Sequence, residues 1–359
     1  MMCAPLAKAR ADSSVADGVR GWQATGAGAV RGITVGPIES SQLKGRGYGT
    51  AASAVLLDEL VRLGATWVSV TPFGRLWSLS STDIARDFEA PYADNRRAVT
   101  RFVAQAHARG LKVLLIPHLW VETGGWRGEI DPGSAAGWAR YQASYRQFVL
   151  GWADVAREAH AEAFSVGVEC KSWSGRFPAV WAGLIADVRA RFSGLLTYSA
   201  NWDEAAHVGF WEKLDLVGIN AFYPLASRAR ASYDAYLDGA RRARDEVARL
   251  SRVVERPVWF VEAGYTTRAD AAVEPWLWPD DMTEVAYDEH EQARALAALL
   301  EVFAPEPWFA GLFVWRYYAD LDDVSQEHPW GFSPHGKRAE RVLEQAFHYR
   351  WGSDPPTIY

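Results

Sequence analysis

Residues 257–266 read Pro257-Val258-Trp259-Phe260-Val261-Glu262-Ala263-Gly264-Tyr265-Thr266. The run is short, apolar and rich in β-branched and aromatic side chains, which marks a buried strand. Its last inward position is a glutamate, followed by a glycine and a polar loop. A carboxylate in that place is costly to desolvate unless it has a partner or a chemical task. For one such residue a structural ion pair is the plain alternative. Residues 164–169, Phe164-Ser165-Val166-Gly167-Val168-Glu169, repeat the pattern. Two strand-terminal glutamates in one chain point to a paired-carboxylate site.

Working outward, apolar strands are predicted over residues 31–38, 66–73, 112–120, 163–169, 195–202, 214–223, 257–265 and 308–318. Helical periodicity fills most of the intervals, over residues 51–63, 95–109, 138–159, 178–192, 233–250 and 289–303, with a last helix over 338–347. Gly64, Gly110 and Gly194 stand where helices should stop. Strands alternating with helices predict an α/β chain with a parallel sheet. Eight such units fit a (β/α)8 TIM barrel with extended βα loops. A doubly wound open sheet is the rival, but no Gly-x-Gly-x-x-Gly follows the first strand. The expected organisation is a flexible N-terminal arm over 1–30, the barrel over 31–350 and a C-terminal tail over 351–359.

Composition narrows the partners. The chain has 359 residues, 49% hydrophobic and 23% charged, enough for a large core. A net charge of −6 without any Lys/Arg run argues against nucleic acid. No apolar run approaches the length of a membrane span. The sequence as given begins without the apolar core of a signal peptide, so it reads as cytoplasmic, or as secreted if a leader was trimmed. The two cysteines, Cys3 and Cys170, make no disulfide framework, and Cys170 reads as an inert buried thiol. Tryptophan is the outlier, with 18 copies. Trp126, Trp173, Trp202, Trp276, Trp278 and Trp330 fall in polar loops, where flat rings can stack on sugar faces.

In a TIM barrel the chemistry sits at the C-terminal ends of the strands. Those ends offer His118, Glu169, Asn201, Asn220 with Tyr223 just beyond, Glu262, and Trp315 with Arg316. Glu169 and Glu262 end strands four and seven and face each other across the mouth. Two carboxylates in a tryptophan-lined cleft suit glycoside hydrolysis: one protonates the leaving oxygen and the other attacks or activates water. Burial and mutual repulsion can keep one of them protonated near neutral pH. A metal set of two Glu and one His is the competing chemistry, but no metal-binding His spacing occurs, so no metal and no cofactor is expected. No Gly-x-Ser-x-Gly elbow is present. His118 reads equally well as a core histidine; Asn201 and Asn220 have strand-end caps as their plain alternative; Trp315 has core as its alternative, but its place opposite Glu262 favours a sugar platform.

The segments 106–113, Pro117-His118, 125–130, 165–169, 196–202, 216–225, 261–265 and 331–337 together resemble clan A glycoside hydrolases, most of all family 113, the (β/α)8-barrel β-mannanases. That resemblance implies Glu169 as acid/base and Glu262 as nucleophile, with retention of configuration. It implies cleavage of a β-1,4-linked hexose polymer, foremost β-mannan, by an endo-mannanase-like enzyme with an oligo- or polysaccharide partner. The sugar-binding candidates are His118, Trp120, Trp126, Asn201, Trp202, Asn220, Tyr223 and Trp315. Two departures touch the sugar shell. Val168 stands where the clan commonly has Asn, and Trp120 stands near a position where the family tends to be acidic. Another β-glycan hydrolase or a transglycosylase on the same site, and a non-catalytic carbohydrate-binding barrel, are the alternatives.

Overall fold

The computed structural model describes residues 29–36, 44–277, 285–322 and 330–348. The N-terminal arm up to residue 28, Trp278 and the tail over 351–359 lie outside the described residues.

Ten strands follow in chain order: β1 Val30–Gly36, β2 Trp67–Val70, β3 Phe73–Leu76, β4 Lys112–Leu115, β5 His118–Val121, β6 Ala163–Val168, β7 Leu195–Asn201, β8 Val217–Asn220, β9 Val258–Ala263 and β10 Phe309–Tyr318. Eight of them close a parallel barrel, in the order β1, β2, β4, β6, β7, β8, β9, β10 and back to β1. This is the expected (β/α)8 architecture. The second and third strands read from the sequence are each broken in two. Prolines cause the breaks, at Pro72 and Pro117, because a proline has no N–H for the ladder. Beyond the breaks β3 and β5 pair with each other as a two-stranded parallel sheet outside the barrel.

The helices are α1 Ala51–Leu63, α2 Tyr92–His107, α3 Ala135–Glu158, the short α4 Lys171–Ser174, α5 Pro178–Arg189, α6 Tyr233–Val254, α7 Glu289–Phe303 and α8 Arg338–His348. After β7 the chain makes only two 3-10 turns, at Ala205–His207 and Trp211–Lys213. Local chemistry sets the boundaries. Thr50, Ser134 and Ser232 accept backbone N–H groups of the first turns of α1, α3 and α6. Gly64 closes α1 in the left-handed region at φ +92°.

Strand alternation divides the core. One face of the strands packs under the helices. The other fills the barrel, where Trp67, Trp259 and Phe313 meet edge to face with centroids 5.2–6.2 Å apart. Val168 belongs to this interior cluster and is buried, so it adds apolar packing below the mouth. Trp173 and Trp330, read as loop aromatics, are also buried. Trp173 stacks on Trp181 at 4.3 Å and fills space beneath α3, because α4 folds it back onto the core.

Candidate active site

Strict alternation would send Glu262 outward, since Val261 before it fills the barrel interior. Register slips prevent this. Against β8, Ile219 pairs with Phe260 and Asn220 with Glu262; against β10, Leu312 pairs with Phe260 and Val314 with Ala263. A bulge of this kind re-aims a side chain at a strand end. β6 slips against β7 between Ser165 and Val168, and Glu169 then takes a left-handed backbone at φ +48°. Such a conformation is unfavourable for a non-glycine residue and needs outside support. β7 supplies it. The Glu169 N–H donates to the Ser199 carbonyl at 2.8 Å, and the Cys170 N–H donates to the Tyr198 hydroxyl at 2.7 Å. That hydroxyl in turn donates to buried Glu204 at 2.6 Å.

The Glu169 carboxylate accepts three hydrogen bonds from two parts of the chain, the loop after β5 and β8. Trp126 Nε1 and Arg127 Nη1 reach Oε2 at 2.8 and 3.0 Å, and Asn220 Nδ2 reaches Oε1 at 3.0 Å. Arg127 is fixed by a second bond, from its Nε to the Leu119 carbonyl at 3.0 Å. Asn220 is fully buried and sits in register with Glu262, so one residue of β8 links both glutamates.

Glu262 has a drier seat. It is buried, and burial pushes its carboxyl up to about 8 although Arg127 and Arg316 pull the other way. His118 Nε2 lies 3.0 Å from Oε1, a spacing that would suit an ion pair. The angles are not those of a hydrogen bond, and neither His118 nitrogen nor Oε1 completes one among the described residues. Burial first, and Arg127 next, hold the His118 ring well below its ordinary value, so it is neutral. The contact is therefore polar groups left open in a dry place, not a salt bridge.

A cleft of about 500 Å³ opens above the pair. Glu169, Glu262, Arg127 and Trp315 line it, with Trp126, Asn201, Trp202 and Trp276. Trp315 is partly exposed and stacks on His118 with centroids 5.9 Å apart and planes 13° from parallel. Trp202 and Trp276 stack at 5.5 Å. Asn201 donates to Asp203, which also takes Lys171. Gly264 permits the close approach of this wall: a Cβ there would lie 2.5 Å from the Trp315 carbonyl oxygen.

Four of the sugar-binding candidates do not line the cleft: His118 and Asn220 are buried against the glutamates, and two lie elsewhere. Trp120 is not among the cleft-lining residues; it stands on β5 beyond the mouth, edge-on to Phe88. Tyr223 is buried behind Trp202, and its carbonyl accepts the Tyr265 hydroxyl. Sequence reading missed Arg127, Asp203, Phe222 and Phe332 as cleft residues. For Arg127 the signal was its place beside Trp126 in a Gly-Trp-Arg-Gly-Glu loop. Among the described residues no three His, Cys, Asp or Glu gather as a metal site, and no helix is long and apolar enough to cross a membrane. Cys170 is buried, and burial raises its thiol to about 12.

A parallel eight-stranded barrel with two carboxyls under an aromatic cleft defines the frame of a glycoside hydrolase. The sequence pattern of Glycoside Hydrolase Family 113 matches residues 41–337, and the chain belongs to that family. It is a glycoside hydrolase. The β-mannanase of this family from Alicyclobacillus acidocaldarius, solved in complex with ManMIm, is 27% identical, with a TM-score of 0.76 over 89% of this chain and 97% of its own. A family 113 β-1,4-mannanase solved as a complex is 25% identical, with a TM-score of 0.77 over 90% of this chain and 99% of its own. A β-glucuronidase from Faecalibacterium prausnitzii shares the fold alone, at 16% identity and a TM-score of 0.59 over 90% of this chain and 50% of its own. No curated protein sequence matches.

Proposed function

We propose that the chain cleaves β-1,4-linked hexose polymers, foremost β-mannan, with retention of configuration, Glu169 serving as acid and then base and Glu262 as nucleophile. The observation that carries this reading is the meeting of the two glutamates at one cleft, linked through Asn220. The choice of mannan is supported by the solved family relatives described as β-mannanases.

The pair needs one proton in total. In the empty cleft near neutral pH, the raised Glu262 carboxyl can carry it. Reaction needs the proton on Glu169 and a bare Glu262. A bound sugar brings hydroxyl donors to Glu262, which lines the cleft and whose Oε1 completes no hydrogen bond in the free site. This favours the ionised form of Glu262. The proton then passes from Glu169 to the glycosidic oxygen as Glu262 attacks the anomeric carbon and the C–O bond breaks. Water, giving its proton to Glu169, next cleaves the glycosyl ester. Trp315 lies under the sugar being cleaved. A reducing-sugar assay on a panel of soluble β-glycans tests the reading, with NMR of the first product. Release from mannan with the β-anomer formed first is expected. Folded protein that cleaves no β-glycan overturns it.

A further inference from the structure

The small β3–β5 sheet has two unlike faces. Gly74, Leu76, Leu119 and Val121 are buried on one of them, and a methyl group on Gly74 would strike Phe148 and Ile84. That face packs on the body of the protein. The other carries Phe73 paired with His118, and Arg75 paired with Trp120. The two-residue period of a strand brings Trp77 and Glu122 next on this face. The ladder continues that far, since Glu122 and Thr123 donate their N–H groups to the Leu76 and Trp77 carbonyls.

The root of this face is His118, against Glu262 and Trp315 in the cleft. Its outer end carries Trp120, 49% exposed, and Trp77, 71% exposed. Phe88 stacks on Phe73 at 5.1 Å and meets the edge of Trp120, thickening the face into a wall. The sheet's main apolar packing is on the opposite face, and on this one Trp120 meets Phe88 with half of its surface left exposed. Leaving the two indoles in water exposes a large apolar area. On the wall itself Arg75 is paired with Glu122 at 2.7 Å, with Asp87 and Glu89 beside it. A neutral ligand with flat apolar faces and many hydroxyls suits the wall.

We propose that Trp77 and Trp120 form a distal binding wall for the hexose chain, taking sugar units beyond those that fill the cleft. Pyranose faces stack on the indoles while Arg75 and Glu122 meet their hydroxyls. The proposal rests on the cleft reading above, and its test separates the two. Trp77→Ala and the Trp77→Ala/Trp120→Ala double variant are compared with wild type on soluble β-mannan and on a short aryl β-mannoside. The ratio of polymer to short-substrate kcat/KM is expected to fall about tenfold in the double variant, the scale of a lost ring-stacking contact. An unchanged ratio overturns the proposal. So does wild-type self-association in sedimentation that Trp77→Ala abolishes with polymer kinetics intact, which would make the wall a contact between copies. Native gels containing soluble β-mannan or β-glucan read binding without turnover. Retardation lost in the double variant supports the wall even where no glycan is cleaved and the cleft reading fails; no retardation of wild type in either gel overturns the wall.

Discussion

Glu169 and Glu262 end two strands of nearly the same composition, yet their seats differ in kind. Glu169 is held by three donors, from the loop after β5 and from β8, on a left-handed backbone braced by β7. Glu262 is buried against a neutral histidine with no completed bond from it. The contrast teaches that a strand-end glutamate acquires its chemistry from other strands. A carboxylate held by three donors is fixed in position for proton transfer to and from the glycosidic oxygen. One kept dry and under-bonded is a strong nucleophile once it ionises, because few bonds must be broken for it to attack.

The harshest way to break the comparison is to delete the dry member. Glu262→Ala should lower kcat/KM by on the order of 10⁴-fold or more, as for other covalent nucleophiles. Azide should restore turnover of an activated β-glycoside and give an α-glycosyl azide, since it attacks from the emptied side. Residual activity within tenfold of wild type would reverse the roles given to the two seats.

A second test reads the dry seat through stability. The Glu262 carboxyl sits near 8 in the fold against an ordinary 4.5. A group raised in the folded state contributes stability that is fully present below the unfolded value and lost as pH rises through the folded value. Wild type should therefore lose stability between about pH 4.5 and 8 relative to Glu262→Gln, which cannot ionise. The gap should widen to about 2–5 kcal/mol, from the size of the shift, and then level off. Thermal melts of both proteins from pH 5 to 9 check this. A gap independent of pH means the seat is wet.

Arg127 acts on both seats, by a bond to Glu169 and by its charge on Glu262, so Arg127→Ala sharpens the contrast between them. It removes a charged hydrogen bond to Glu169 and a pull that lowers Glu262. A loss of about 10–100-fold in kcat/KM is expected from a bond of about 1.5–3 kcal/mol. The pH–rate profile carries the finer signal. Activity should fall above about pH 8 in wild type, as the pair loses its last proton. Without Arg127 that limb should move to higher pH. A limb that stays or moves down would detach Arg127 from Glu262.

How much of this was legible follows from where each interaction comes from. The barrel and the two glutamates were readable because each depends on a short run: an apolar strand, a terminal Glu, a following loop. Breaks at Pro72 and Pro117 were marked in the sequence, but only pairing between β3 and β5 turns them into a separate sheet. Arg127 was not legible as a partner of Glu169, because 42 positions and a loop conformation separate them. Trp173 looked like a loop aromatic for a similar reason: polar neighbours in sequence hid the fact that a short helix folds its ring onto the core. Tyr223, read as a sugar contact at a strand end, is buried behind Trp202 instead. Trp120 follows His118 on the same strand face, yet the rise along β5 carries it past the cleft.

The smallest effect concerns the brace that makes the donor-rich seat of Glu169 possible. The Tyr198 hydroxyl accepts from the Cys170 N–H and donates to Glu204, which burial raises to about 7 and which also accepts the Asn201 N–H at 3.1 Å. Tyr198→Phe keeps the ring among Trp181, Phe210 and Trp211 but removes the oxygen from the middle of this chain. The Cys170 donor then loses its bond, at a cost of about 1–3 kcal/mol of stability. Glu169, one residue earlier and already in an unfavourable conformation, keeps only the bond from its own N–H on the backbone side. Its carboxyl should wander, and proton delivery should suffer before anything else. A glycoside with a poor leaving group needs that proton; an activated aryl glycoside does not. We therefore expect kcat to fall about threefold to tenfold for the first and to stay nearly level for the second. Equal losses on both substrates would mean that the brace holds the fold as a whole and has no particular tie to the proton donor.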